Sequence, residues 1–228
     1  MIFIVVWLLL AFWPMQKNLV VEDFESDALG GIPARWYNRD GTGRPNSYSA
    51  DLRRGYQYEV LSEKPGNQFL RYNGYHAKHL AFHFVKDRHW SIKKYPVLTW
   101  RWRAWKLPIG ANEALDEKND AVLSVYVVFD KGNWVRPPQV IRYVWSSTLP
   151  IGTILTKSSG RQKIVVIASG NRDLGQWINV TRSISDDYQS LFGHAEVPDP
   201  ISLLLLSDAD DTQTWAIGDY DDFSIGSL

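Results

Sequence analysis

Residues 97–107 read Val-Leu-Thr-Trp-Arg-Trp-Arg-Ala-Trp-Lys-Leu, and in that stretch Leu98, Trp100, Trp102 and Ala104 alternate with Thr99, Arg101, Arg103 and Trp105. Successive side chains of a strand leave opposite faces, so a period of two sends one set each way. The expectation is a half-buried antiparallel strand with Trp100 and Trp102 inward and Arg101, Arg103 and Trp105 outward. Similar short runs recur at 79–85 (HLAFHFV), 121–129 (AVLSVYVVF), 139–145 (QVIRYVW), 163–169 (KIVVIAS), 177–180 and 201–207 (ISLLLLS). Turn formers separate them, among them Pro108-Ile109-Gly110, Lys131-Gly132-Asn133, Pro150-Ile151-Gly152 and Ser169-Gly170-Asn171. Many short strands at this spacing predict an all-β, antiparallel β-sandwich of the jelly-roll or galactose-binding-like type. One short helix is expected over 185–192, capped by Ser183 or Ser185 and ended by Gly193.

Composition bounds what such a sandwich does. The chain has 228 residues, no Cys, and 25 Lys+Arg against 25 Asp+Glu. Zero cysteine excludes disulfides, thiolate chemistry and Cys-ligated metals, and zero net charge argues against a nucleic-acid partner. Aromatics reach 14 %, including 11 Trp, as β-rich domains or stacking surfaces use them. The charge is unevenly placed. After Arg182 no Lys or Arg follows, while Asp186, Asp187, Glu196, Asp199, Asp208, Asp210, Asp211, Asp219, Asp221 and Asp222 do. Such a run calls for counter-charge from the rest of the fold or from a cation, unless it is a solvated face.

Residues 1–16 form an uncharged, apolar start up to Met15, followed by Gln16 and Lys17. The run is shorter than a bilayer span and reads as an export signal or an anchor, without a basic residue before it or a small-x-small cleavage site after it. Residues 19–228 carry no repeat, low-complexity tract or long linker and read as one sandwich domain. The expected location is periplasmic or secreted in a bacterium, with membrane contact only through the first segment if it is uncleaved.

The set Leu98-Thr99-Trp100-Arg101-Trp102-Arg103, Asp120-Ala121-Val122, Tyr143-Val144-Trp145-Ser146, Asp187-Tyr188 with Phe192-Gly193, and Ser207-Asp208-Ala209-Asp210-Asp211-Thr212 resembles the bacterial family called domain of unknown function 3047. That resemblance implies an exported β-sandwich and no assigned reaction. The two ends, Val20-Val21-Glu22-Asp23-Phe24-Glu25 and Asp219-Tyr220-Asp221-Asp222-Phe223, are similar to the first and last strands of jelly-roll carbohydrate-binding modules. The resemblance implies adjacent terminal strands and a structural Ca2+ held by Glu25 and Asp221, with Asp222 or Asp23 in reserve; calcium takes six to eight oxygen ligands. Acids capping strand ends in water is the other reading.

The candidate ligand surface combines Arg101, Arg103 and Trp105 with Tyr126, Arg142 and Tyr143 from other strands, and with Asp208. Guanidinium forks bind carboxylates and sulfates, and Tyr and Trp faces stack on sugar rings. The competing expectation is that the arginines pair with surplus acids such as Asp208 or Asp210. The acidic loop from Glu113 to Asp120 reads as solvated, and His79 and His83 as neighbours on an outer strand face. No catalytic residue is assigned. The expected role is binding of a carbohydrate or other cell-envelope ligand. A lyase-like enzyme for an anionic glycan, which would need Arg101, Arg103 and Tyr126 to converge, and a purely structural module are the alternatives.

Overall fold

The computed structural model describes residues 18–38, 58–84, 89–133 and 135–227. The apolar segment 1–16 lies outside the described residues. Among them no helix is long and apolar enough to cross a membrane.

Among the described residues twelve strands form two six-stranded sheets. They are β1 (Leu19–Glu22), β2 (Tyr58–Lys64), β3 (Asn67–Gly74), β4 (Lys78–His83), β5 (Val97–Lys106), β6 (Leu123–Val128), β7 (Val140–Ser146), β8 (Ile154–Lys157), β9 (Gln162–Ser169), β10 (Ile178–Ser183), β11 (Ser202–Ser207) and β12 (Ala216–Gly226). The first sheet runs β10-β5-β12-β3-β2 with β1 beside β12, and the second runs β4-β11-β6-β7-β9-β8. First and last strands are therefore neighbours, as the resemblance implied. All pairs are antiparallel except β7 with β9.

The stretch that suggested the fold is β5, and its alternation holds. Trp100 and Trp102 are 2 % and 0 % exposed and pack edge to face with ring centroids 5.6 Å apart. Trp145 and Tyr143 from the opposite sheet complete that layer. Trp36 and Trp90 are also fully buried. Trp36, Trp90, Trp100, Trp102 and Trp145 thus fill the space between the sheets, where each indole offers a large apolar area. The one α-helix among the described residues, α1 (Ile184–Phe192), starts where Ser183 Oγ accepts from the Asp186 amide and stops at Gly193, whose φ of 72° is open to glycine.

Candidate functional site

The outward residues of β5 do not stand free. In the β5/β12 register Arg101 lies opposite Asp221, and Arg103 opposite Asp219. Arg103 Nε donates to Asp219 at 2.8 Å, Arg71 reaches the same carboxylate through Nε and Nη2 at 2.7 and 2.9 Å, and the Trp105 indole donates to it at 2.7 Å. Arg101 holds Asp221 at 2.5 Å and lies 2.9 Å from Asp222. Trp177 covers both guanidinium groups at 4.6 and 4.3 Å from its ring centroid. The acids that answer these arginines are Asp219 and Asp221, not Asp208 or Asp210. Arg103, at 5 % exposure, is part of a closed network.

The same network bears on the expected calcium site. Asp221 and Asp222 share Arg101, a cation already in place, and Glu25 Oε1 accepts from the Gln68 amide at 2.6 Å on an exposed edge. Among the described residues the three acids with carboxylate oxygens within 4.8 Å of one another are Asp120, Asp208 and Asp210. Glu25, Asp221 and Asp222 are not among that group.

The remaining predicted residues lie on the opposite side of the sandwich. Tyr126 of β6, Arg142 of β7 and Asp208 just after β11 face outward from the second sheet and line one groove of about 1560 Å³. The set expected around a single surface is therefore divided: Arg101, Arg103 and Trp105 on one outer face, Tyr126, Arg142 and Asp208 on the other. Tyr143, expected outward, is buried between the sheets and donates to Asp187 at 2.6 Å. Its neighbour in sequence, Arg142, takes the outward position because the strand alternates.

The groove floor is apolar: Val128, Val140, Leu204 and Leu206 belong to a cluster distinct from the inter-sheet core. Its walls carry Tyr37, His79, His83, Arg35, Asn119 and Gln162 as well. Tyr37 was not anticipated; its backbone bridges Ala81 at the β4 edge and its ring lies 6.2 Å from that of His83. The outward placement of His79 and His83 is as expected. None of the described tryptophans lines the groove.

Asp208 in the groove wall neighbours Asp120 and Asp210, and the loop from Glu113 to Asp120, expected to be solvated, is buried at both ends. Asp120 is fully buried, accepting from the Asp211 and Thr212 amides and the Thr212 hydroxyl at 3.1, 2.7 and 2.6 Å. Glu113 is likewise buried and accepts from the Ser146 hydroxyl at 2.6 Å. Asp208 accepts from the Ala121 amide at 2.6 Å. Burial, aided by the nearby Asp120 and Asp210 charges, pushes the Asp208 carboxyl up to about 7 against the pull of Arg142.

Residues 46–224 match the model of a family described as a protein of unknown function, DUF3047. The chain belongs to the DUF3047 family. No curated protein matches it. Among solved structures, the family 11 carbohydrate-binding module of a cellulosomal cellulase of Clostridium thermocellum is similar at 11 % identity and a TM-score of 0.44, over 93 % of this chain and 96 % of that one. The CBM22-1 xylan-binding domain of Paenibacillus barcinonensis Xyn10C is similar at 13 % identity and 0.40, over 92 % and 94 %. A family 12 xyloglucanase of Bacillus licheniformis is similar at 8 % and 0.43, over 92 % and 98 %.

In this DUF3047 domain Asp208 links stability to pH. A carboxyl whose folded value lies above its unfolded one favours folding fully below the unfolded value, and that contribution is lost as pH rises through the folded value. Thermal stability is therefore expected to decline between about pH 4 and pH 7. Asp208→Asn should make that decline shallower, with Asp221, which burial also pushes up to about 7, still contributing; an unchanged slope in calorimetric melts across this range would show that Asp208 ionises without cost.

Proposed function

We propose that the outer face of the second sheet is a binding groove for an extended carbohydrate, and that the protein is a binding module. The observation that carries this reading is the groove itself: an open trough with an apolar floor, two tyrosines and polar walls. Sugar rings present apolar faces and polar edges, and such a trough offers partners for both. On the other outer face the arginines are engaged with carboxylates. Export to the periplasm or beyond fits a glycan partner and belongs to this proposal.

Tyr37 tests it. The residue is 37 % exposed and lines the groove, so Tyr37→Ala removes a stacking surface there. Affinity for a retained oligosaccharide should fall about tenfold, or about 1.4 kcal/mol, measured on protein shown by its melting curve to be folded. Calorimetry against a panel of neutral and acidic plant and bacterial glycans provides the measurement. Binding equal to that of the unaltered protein would remove the groove from consideration.

A second reading has its own observation. Asp208 is a carboxyl with a near-neutral value beside Tyr126 and Arg142 in the groove, as acid–base chemistry requires. The lyase arrangement built on Arg101 and Arg103 has no geometry behind it, since both lie on the other sheet. If the groove is catalytic, incubation with a uronate polymer should generate unsaturated ends that absorb in the ultraviolet. Binding without that signal favours the module.

A further inference from the structure

Arg142 is 1 % exposed. Its Nε donates to Ser124 Oγ at 3.1 Å and its Nη1 to Asn119 Oδ1 at 3.0 Å, both neutral acceptors. Its Nη2 has no acceptor. Among the described residues no carboxylate lies within 4.0 Å of this guanidinium, although Asp208 and Glu113 act on its charge from farther away. Asp120 holds the 211–212 turn, Asp208 holds the Ala121 amide, and Glu113 gives Oε2 to Ser146 while its Oε1 is left without a hydrogen bond.

The opposite sheet shows what this sequence does when an arginine is structural. Arg71, Arg101 and Arg103 each meet a carboxylate directly. A buried cation left with neutral partners is costly, because hydrogen bonds to amide and hydroxyl oxygens do not replace the lost solvation of the charge. Here that cation lies in the wall of a ligand groove, with its centre 5.4 Å from the Tyr126 ring. Its Nη2, without an acceptor, leaves a donor for a ligand anion to take up in competition with the charges of Asp208 and Glu113.

We infer that the ligand of this groove carries an anionic substituent, a uronate carboxylate or a sulfate ester, and that Arg142 is the residue that selects it. The inference rests on the carbohydrate reading of the groove. Protonation of Asp208 below neutrality removes the competing negative charge nearby, so binding of such a ligand strengthens as pH falls towards 6. Arg142, Asp120, Asp210 and the Ala121 amide are the groups acting on Asp208, and Arg142 alone among them is positive.

The test compares three trisaccharide probes by calorimetry at low salt: a galacturonate oligomer, its methyl ester and a sulfated neutral oligomer. The acid or the sulfate should bind at least about tenfold more tightly than the uncharged ester, and whichever of them does identifies the substituent. Arg142→Met should bring the acid-to-ester and sulfate-to-ester affinity ratios down to about one, and should leave the melting temperature of the unliganded protein unchanged or raised. A structural arginine would instead lower it. If the variant does not fold, the acid-to-ester ratio of the unaltered protein and its loss at high salt still decide the matter. Equal binding of acid, sulfate and ester would overturn the inference and leave the groove reading standing. Absence of binding by every charged and neutral oligosaccharide would overturn both.

Discussion

Asp219→Ala is expected to destabilise the protein by about 3–5 kcal/mol, the range for removing one partner from a buried ionic group. Asp219 is fully buried and accepts from Arg71, Arg103 and the Trp105 indole at once. With the carboxylate gone, Arg103 retains only Glu63, which is partly solvated, and Arg71 loses its one direct ion pair among the described residues. For a chain of this size the loss corresponds to a fall in melting temperature on the order of 10 °C. Asp219→Asn should behave nearly as badly, because an amide keeps the shape and loses the charge that balances two guanidinium groups. A melt within about 2 °C of the unaltered protein, inside the shift for 1 kcal/mol, would mean that the network is solvated in solution and that sheet pairing alone holds β5 to β12.

That network also shows how far the sequence could be read. The Arg-Trp-Arg of 101–103 and the Asp-Tyr-Asp of 219–221 have the same alternation, inward aromatic between outward charges, and opposite signs. Set side by side, they fit as neighbouring strands with charges on one face and rings on the other. The alternation of each segment was legible by itself, as were most strands from β4 onward and the helix with its caps; β2, β3 and β8 were not, and the meeting of first and last strands came from the resemblance. Their register was not, because it joins residues more than 110 positions apart, and no local rule links them. The same limit explains the divided candidate site. Tyr126 and Arg142 were recognisable as outward residues of their strands, but a strand does not announce which sheet it joins. They were therefore grouped with arginines on the far side of the sandwich. Tyr37 left no periodic signal at all, since it sits outside any regular strand and reaches the groove through a single bridge to Ala81.

Glu22 shows the converse case, a strand-end acid whose role comes from what surrounds it. Glu25 and Asp23 draw the eye by resemblance to ion-binding modules, yet Glu22 is the buried one. Its Oε1 accepts from the Asp23 and Phe24 amides at 3.1 and 3.0 Å and from Arg35 at 2.6 Å, and its Oε2 from the Trp36 indole at 3.0 Å. These bonds fix the corner after β1, where Phe24 takes a φ of 56° while its ring stacks on Trp36 at 6.2 Å. A non-glycine residue held there costs about 1–3 kcal/mol that the neighbouring contacts must offset. Glu22→Ala removes the acceptors and leaves the indole and amide donors buried, so a loss of about 3–5 kcal/mol is expected. Glu22→Gln should be intermediate, since its carbonyl still serves some donors while its amide nitrogen opposes others. The loss should be local first: amide exchange along β1 and the facing end of β12 should accelerate before the inter-sheet tryptophans around Trp102 are exposed. Simultaneous exposure of both regions would place the corner inside the global folding unit. An unchanged melt would mean that Arg35 and Trp36 find water as readily as they find Glu22.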